Sequence, residues 1–167
     1  MQPYPTVCTV GEEARPPTEI PRHRILPVFR KIDCLQIPVP DLEAGLEFYR
    51  DQLGHTLIWR TDKAAGLRLP ESDIEIVIQT ERPELEVNIT VASADEAAAF
   101  IAQIGGRIVV QPFDIAIGRC AVIEDPWANR LVLLDNSKGS LVTDATGRVL
   151  VDADGKPRVS HSTGNTG

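Results

Sequence analysis

The chain contains an internal echo. Ile37-Pro-Val-Pro-Asp-Leu-Glu-Ala-Gly-Leu-Glu-Phe-Tyr-Arg-Asp-Gln-Leu-Gly54 has a counterpart in Ile89-Thr-Val-Ala-Ser-Ala-Asp-Glu-Ala-Ala-Ala-Phe-Ile-Ala-Gln-Ile-Gly-Gly106. Val39 matches Val91, Phe48 matches Phe100 and Gly54 matches Gly106, each pair 52 residues apart. A single echo of this kind constrains the fold more than any local pattern, because it points to one supersecondary unit built twice and packed against itself.

Each copy opens with a strand, at residues 32–39 and 86–91, and continues into an amphipathic helix. In the first helix Asp41 is placed to cap the free amides, Leu42, Leu46, Tyr49 and Leu53 recur at helical spacing, and Gly54 supplies a left-handed stop. The second opens with Ser93 and Glu96 at capping-box spacing and closes at Gly105-Gly106. β-rich runs follow each helix, at 55–61, 66–69 and 74–79 in the first copy and at 107–111, 119–123 and 131–134 in the second. The expected fold is α+β: two tandem βαβββ modules, about 30–82 and 84–138, forming a mostly antiparallel sheet with helices on one face.

The flanks differ in character. Residues 1–27 carry Pro3, Pro5, Pro16, Pro17, Pro21 and Pro27 and read as an arm outside the fold. Residues 139–167 contain two turn signals, Asp144-Ala-Thr-Gly147 and Asp152-Ala-Asp-Gly155, around a β-rich Arg148-Val-Leu-Val151, and read as a short hairpin followed by a disordered tail. The Asp-Ala-Asp-Gly fragment lacks the remaining ligands of a calcium loop and reads as a plain turn.

Composition excludes several partners. The formal net charge is −7 with no Lys/Arg-rich stretch, so nothing is present to neutralise a phosphate backbone or an anionic membrane. No apolar run is long enough to span a bilayer, and MQPYPTVCTVGEEARPP has neither the basic start nor the apolar core of an export signal, so a cytoplasmic location is expected. The three cysteines, Cys8, Cys34 and Cys120, lack CxxC spacing and suggest neither a disulfide framework nor a thiolate zinc site. Nucleophile-elbow, dinucleotide and Walker motifs are absent from the sequence.

The order of elements, together with Ile37-Pro-Val-Pro-Asp-Leu-Glu43, Phe48-Tyr-Arg-Asp-Gln-Leu-Gly54 and Glu124-Asp-Pro-Trp-Ala-Asn-Arg-Leu-Val-Leu-Leu-Asp135, resembles the vicinal oxygen chelate superfamily. That group includes glyoxalase I, bleomycin-resistance proteins and extradiol dioxygenases. The resemblance covers residues 28–138 and implies a sheet curled around a ligand cavity, a homodimer, and in many members a divalent metal held by one side chain on the first and last strand of each half. By that resemblance the four positions here are Cys34, Gln79, Glu86 and Val132. Val132 has no donor atom, Cys34 is a soft donor, and only Gln79 and Glu86 offer oxygen, a set that suits no common metal. Of the three histidines, His23 and His161 lie in the flanks, and His55 follows the helix stop, where a helix C-terminal or surface role is expected. No metal or other cofactor is therefore expected; a divalent metal on Gln79 and Glu86, serving a lyase, isomerase or dioxygenase, is the alternative.

Strand parity identifies what would line the cavity. Glu86, Asn88 and Thr90 share one face of their strand, while Val87, Ile89 and Val91 face the helices. Cys34 shares a face with Gln36, and Gln79 with Val77 and Glu75. Trp59 and Phe113 are the aromatic candidates for stacking on a flat ligand. Trp127 is expected to cover the end of the sheet, and Ala128 replaces the glycine usual in such a turn, at a cost of about 1 kcal/mol if its φ is positive. Cys34 and Cys120 are expected to be inert, without a basic neighbour to lower their pKa. Glu86, if enclosed without a cationic partner, would have a raised pKa and is the one candidate for a catalytic acid or base. The function expected is binding of a small organic molecule, such as an antibiotic or aromatic compound, by Cys34, Gln36, Trp59, Gln79, Glu86, Asn88 and Phe113.

Overall fold

The computed structural model describes residues 26–160, so the greater part of the proline-rich arm and the end of the tail lie outside the described residues. The first half runs β1 (Lys31–Pro38), α1 (Leu42–Leu46), a π-helical segment (Glu47–Gln52), β2 (Thr56–Arg60), β3 (Ala64–Arg68) and β4 (Glu75–Gln79). The second half runs β5 (Glu86–Thr90), α2 (Ala94–Gln103), β6 (Arg107–Ile115), β7 (Gly118–Glu124) and β8 (Arg130–Asp135). Eight strands form one sheet in the order β2-β3-β4-β1-β5-β8-β7-β6. The two halves thus use the same order outward from the centre, and they join where β1 pairs antiparallel with β5, Cys34 opposite Asn88 and Gln36 opposite Glu86. The β1–β4 and β5–β8 pairs are parallel and the others antiparallel. The fold is the expected α+β class, with the sheet left open at β2 and β6.

Both helices pack on the same face. Leu42 and Leu46 of α1 meet Ala65, Leu67 and Ile78, while Ala94, Ala97, Ala98 and Ile101 of α2 meet Ile89, Ala121, Ile123 and Leu133. This is the alternate set of each strand, so burying the convex face against helices leaves the other set on the concave face. The Asp41 cap is present, with Ala44 N–H donating to Oδ1 at 2.8 Å, and Ser93 Oγ accepts from Glu96 N–H at 3.2 Å. Gly54 (φ +80°) and Gly105 (φ +105°) take the left-handed conformation at the helix ends.

The first helix departs from its sequence reading. Its α-helical part ends after Leu46, and the wider π-helical turn rotates the following residues out of the 3.6-residue phase, so Leu53 is exposed rather than in the apolar stripe. Trp127 does not cover the sheet end; the turn Asp125–Asn129 is held by Asp125 Oδ1, which accepts from Trp127 and Asn129 N–H, and Trp127 is 76% exposed. Ala128 in the same turn has φ +67°.

The C-terminal region forms more than a hairpin. The two Asp/Gly turns are present, but three short runs associate through the bridges Thr143–Val149 and Val151–Pro157 and the pairing of β9 (Ser140–Leu141) with β10 (Val159–Ser160). The assembly docks on the edge of the sheet, where Arg60 N–H donates to Gly147 O at 2.8 Å and Val149 N–H donates to Arg60 O at 2.9 Å. No helix among the described residues is long and apolar enough to cross a membrane.

Candidate functional site

The concave face carries two adjoining cavities of about 470 and 440 Å³. They meet at Gln36, Arg82, Asn88, Ile115 and Leu134. Strand register explains the composition of the floor: one row crosses the sheet through Glu75, Cys34, Asn88 and Val132, and the next through Val77, Gln36 and Glu86. All seven residues singled out from the sequence lie on these cavities. Cys34, Trp59 and Gln79 line the first, Glu86 and Phe113 the second, and Gln36 and Asn88 both.

Trp59 is placed by a glycine. Trp59 pairs with Gly66 of the neighbouring strand, and a Cβ at Gly66 would fall 2.2 Å from the indole nitrogen, so the ring lies across a position that only glycine leaves open. The indole Nε1 donates to Glu75 Oε2 at 2.9 Å. Burial raises the Glu75 carboxyl above its ordinary value, against the hydrogen bond from Trp59, and the negative charge of Asp33 acts in the same direction as burial. The Cys34 thiol is pushed up to about 12 by burial and by Asp33, Glu75 and Glu86. Cys120, on the second cavity, is pushed up to about 11, again chiefly by burial. Both thiols stay protonated at neutral pH, consistent with their reading as inert.

Gln79 and Glu86 are committed elsewhere. The carbonyl oxygen of Gln79 accepts from Glu81 N–H at 2.7 Å and Arg82 N–H at 2.8 Å, and its amide donates to Arg82 O at 2.8 Å. Gln79 therefore staples the β4–β5 loop and has no free lone pair for a metal. Glu86 does not lack a cationic partner, because Arg82 Nε lies 2.8 Å from its carboxylate. The same guanidinium donates to Gln36. Glu86 is therefore not the unpaired, enclosed carboxyl that the sequence suggested. With Val132 on the fourth position, the four side chains do not form a metal-binding set, and the described residues contain no group of three or more His, Cys, Asp or Glu that could hold a metal ion.

Asn88 is only 6% exposed, yet its Oδ1 has no hydrogen-bond partner. Phe113 reaches the second cavity because β6 extends beyond its expected end and its register shifts between Val110 and Phe113, setting Phe113 opposite Cys120. Sequence reasoning missed Arg82, which lies in a loop without periodicity, and Ser140, Leu141 and Thr143, which bring the C-terminal region onto the first cavity. Glu75 was legible only as a face-sharing neighbour of Gln79.

Comparison with known proteins places the fold. The family model described as Glyoxalase/Bleomycin resistance protein/Dioxygenase superfamily matches residues 31–133. No curated protein matches the chain. Among solved structures, methylmalonyl-CoA epimerase from Mycobacterium tuberculosis is similar at 20% identity and a TM-score of 0.55, covering 67% of this chain and 93% of that one. The hypothetical protein BH1468 from Bacillus halodurans C-125 aligns at 19% identity and a TM-score of 0.56, over 68% of this chain and 98% of that one. Homoprotocatechuate 2,3-dioxygenase from Brevibacterium fuscum aligns at 22% identity and a TM-score of 0.54, over 71% of this chain but 40% of the longer enzyme. At these identities the structures speak for the fold alone, while the family model spans more than half of the sequence and agrees with the motifs at residues 37–54 and 124–135: the chain belongs to the glyoxalase/bleomycin resistance protein/dioxygenase superfamily.

Proposed function

We propose that this protein binds a small organic molecule on its concave face without using a metal. The observation that carries the reading is the pair of adjoining cavities, which share a floor at Gln36 and Asn88, the latter a buried amide whose oxygen is unpartnered. An unsatisfied buried acceptor costs about 1–3 kcal/mol, which a ligand N–H or O–H would offset. Around it, apolar walls from Val77, Ile115 and Leu134 and a few polar groups match the make-up of ligand pockets. Trp59 and Phe113 at opposite ends favour a ligand with an aromatic part. The donor chemistry supports independence from metal, since Gln79 and Glu86 are engaged and Val132 has nothing to offer. Free, buried Cys34 and Cys120 suit a reducing, cytoplasmic setting.

Metal analysis of protein purified with and without added Zn²⁺, Ni²⁺, Mn²⁺ or Fe²⁺ tests this reading. Substoichiometric metal throughout is expected; a stoichiometric ion abolished by Glu86→Ala would contradict it. A thermal-shift screen of aromatic compounds and drugs then addresses the ligand, because a compound at 100 times its Kd adds about 2.7 kcal/mol of stability.

A further inference from the structure

The two cavities differ in charge, and the difference indicates the kind of molecule that spans them. Four charged side chains line the first: Asp33, Glu75, Glu81 and Arg82. Two of these are matched within the protein, Glu81 by Lys63 at 3.0 Å and Arg82 by Glu86 at 2.8 Å. Asp33 and Glu75 are not. Asp33 accepts a hydrogen bond from Thr90 Oγ1 at 3.3 Å and Glu75 accepts one from Trp59, but neither forms an ion pair among the described residues, Arg68 and Lys31 acting on Glu75 only at longer range. In the second cavity Arg130 lies 3.6 Å from Glu84 and 3.3 Å from Glu124, and Glu86 is paired with Arg82, so its charges are balanced, and apart from Gln36 and Asn88 its remaining walls are largely apolar, among them Phe113, Val122, Val132 and Leu134.

Resting on the ligand-binding reading above, we propose that the ligand is an organic amine carrying its positive charge on a mostly apolar body, with the ammonium held between Asp33, Glu75 and the Trp59 ring and the body lying over the second cavity. An ammonium supplies a counter-charge for two carboxylates that lack an ion pair and a cation beside an indole, and its N–H groups suit the unpartnered Asn88 oxygen on the same cavity floor. The elevation of the Glu75 carboxyl by burial and by Asp33 agrees with this, since a bound cation is the group that would stabilise its ionised form. Asn88 makes the assignment more than a count of acids: it is a buried, unpartnered polar side chain lining both cavities. A bare metal ion is a poorer match, because two carboxylates, a protonated thiol and an indole do not complete a coordination shell.

The test uses the full chain with Trp127→Phe, which removes the exposed indole and leaves Trp59 as the only tryptophan. Trp59 fluorescence is titrated with 2-phenylethylammonium, 2-phenylethanol and 3-phenylpropionate, three probes that share a body and differ in head charge. The ammonium is expected to bind about ten-fold more tightly than either other probe, the scale of one charge-assisted contact. Glu75→Gln, which keeps an acceptor for Trp59, and Asp33→Asn are each expected to reduce that preference, with the thermal transition confirming a folded protein. Equal or tighter binding of the alcohol or carboxylate, or an ammonium preference that survives both substitutions, overturns the amine assignment and leaves the small-molecule reading standing. Absence of a Trp59 response to all three probes up to their solubility overturns both.

Discussion

On the convex side, Ile76 and Ile78 of β4 have counterparts in Leu131 and Leu133 of β8, apolar residues turned toward the helices of their own halves. On the concave side the same two strands part company: β4 presents Glu75, Val77 and Gln79, whereas β8 presents Val132 and Leu134. Both halves must bury a helix, and that requirement keeps their convex faces alike. The concave residues are free of that requirement, and they form a polar, acid-bearing side and an apolar side. The four positions that the resemblance assigns to a metal fall on both sides of this asymmetry, and Val132, on the apolar side, has no donor atom.

The largest expected effect concerns how each closing strand ends. Gln79 and Asp135 are both buried, and each satisfies amides of the segments around it. Asp135 does more: its carboxylate accepts from Ala94 N–H at 3.0 Å, Arg119 N–H at 3.1 Å and Ser137 N–H at 3.2 Å, tying β8 to the start of α2 and to β7. Asp135→Ala should cost about 3 kcal/mol in urea unfolding, and Gln79→Ala about 2 kcal/mol. Equal losses would show that the two ends are equivalent after all.

Gly66→Ala should cost about 2 kcal/mol by overpacking against Trp59, and should release the indole from Glu75, read as a shift in Trp59 emission in the Trp127→Phe background. No residue of the second cavity is held by such an approach, so Val132→Ala should leave that emission unchanged.

The two halves also predict opposite responses to acid. At Asp135 burial acts to raise the pKa, but the hydrogen bonds from Ser137, Ala94 and Arg119 outweigh it and hold the carboxyl below its ordinary value of 3.8. Its stabilisation is therefore fully present above pH 3.8 and lost as pH falls through the lower folded value. Glu75 is held above its ordinary 4.5, so folding gains stability as pH falls through its folded value toward 4.5. In stability–pH profiles, Asp135→Asn should flatten the acid loss and Glu75→Gln should remove the gain; the reverse pattern would invert the assignment. The smallest effect is Ala128→Gly, which should stabilise by about 1 kcal/mol by relieving a positive φ in the β7–β8 turn.

Much of this asymmetry was legible in the sequence. The alternation Glu86-Val-Asn-Ile-Thr90 separated helix-facing from cavity-facing residues because parity is a property of the strand itself, and Asp41 and Ser93 marked helix starts through local capping chemistry. What escaped depended on distant partners. Arg82 reaches Glu86 and Gln36 from a loop whose path no periodicity encodes. The C-terminal runs dock on Arg60 through backbone bonds, joined by an Arg148–Asp62 ion pair whose partners lie too far apart in sequence for any local pattern to link them. The π-helical segment after Leu46 preserved an α-helical spacing in sequence while rotating Leu53 into solvent.

The central claim is that the concave face binds its ligand through its own side chains rather than through a metal. The most direct measurement is an NMR titration of the isotope-labelled chain, in excess chelator, with a compound that raises its thermal transition, following the Asn88 side-chain amide and the Trp59 indole N–H. The account predicts that both signals shift along one saturable curve with chelator present. Shifts that require an added divalent ion, or that fall outside the concave face, would contradict it.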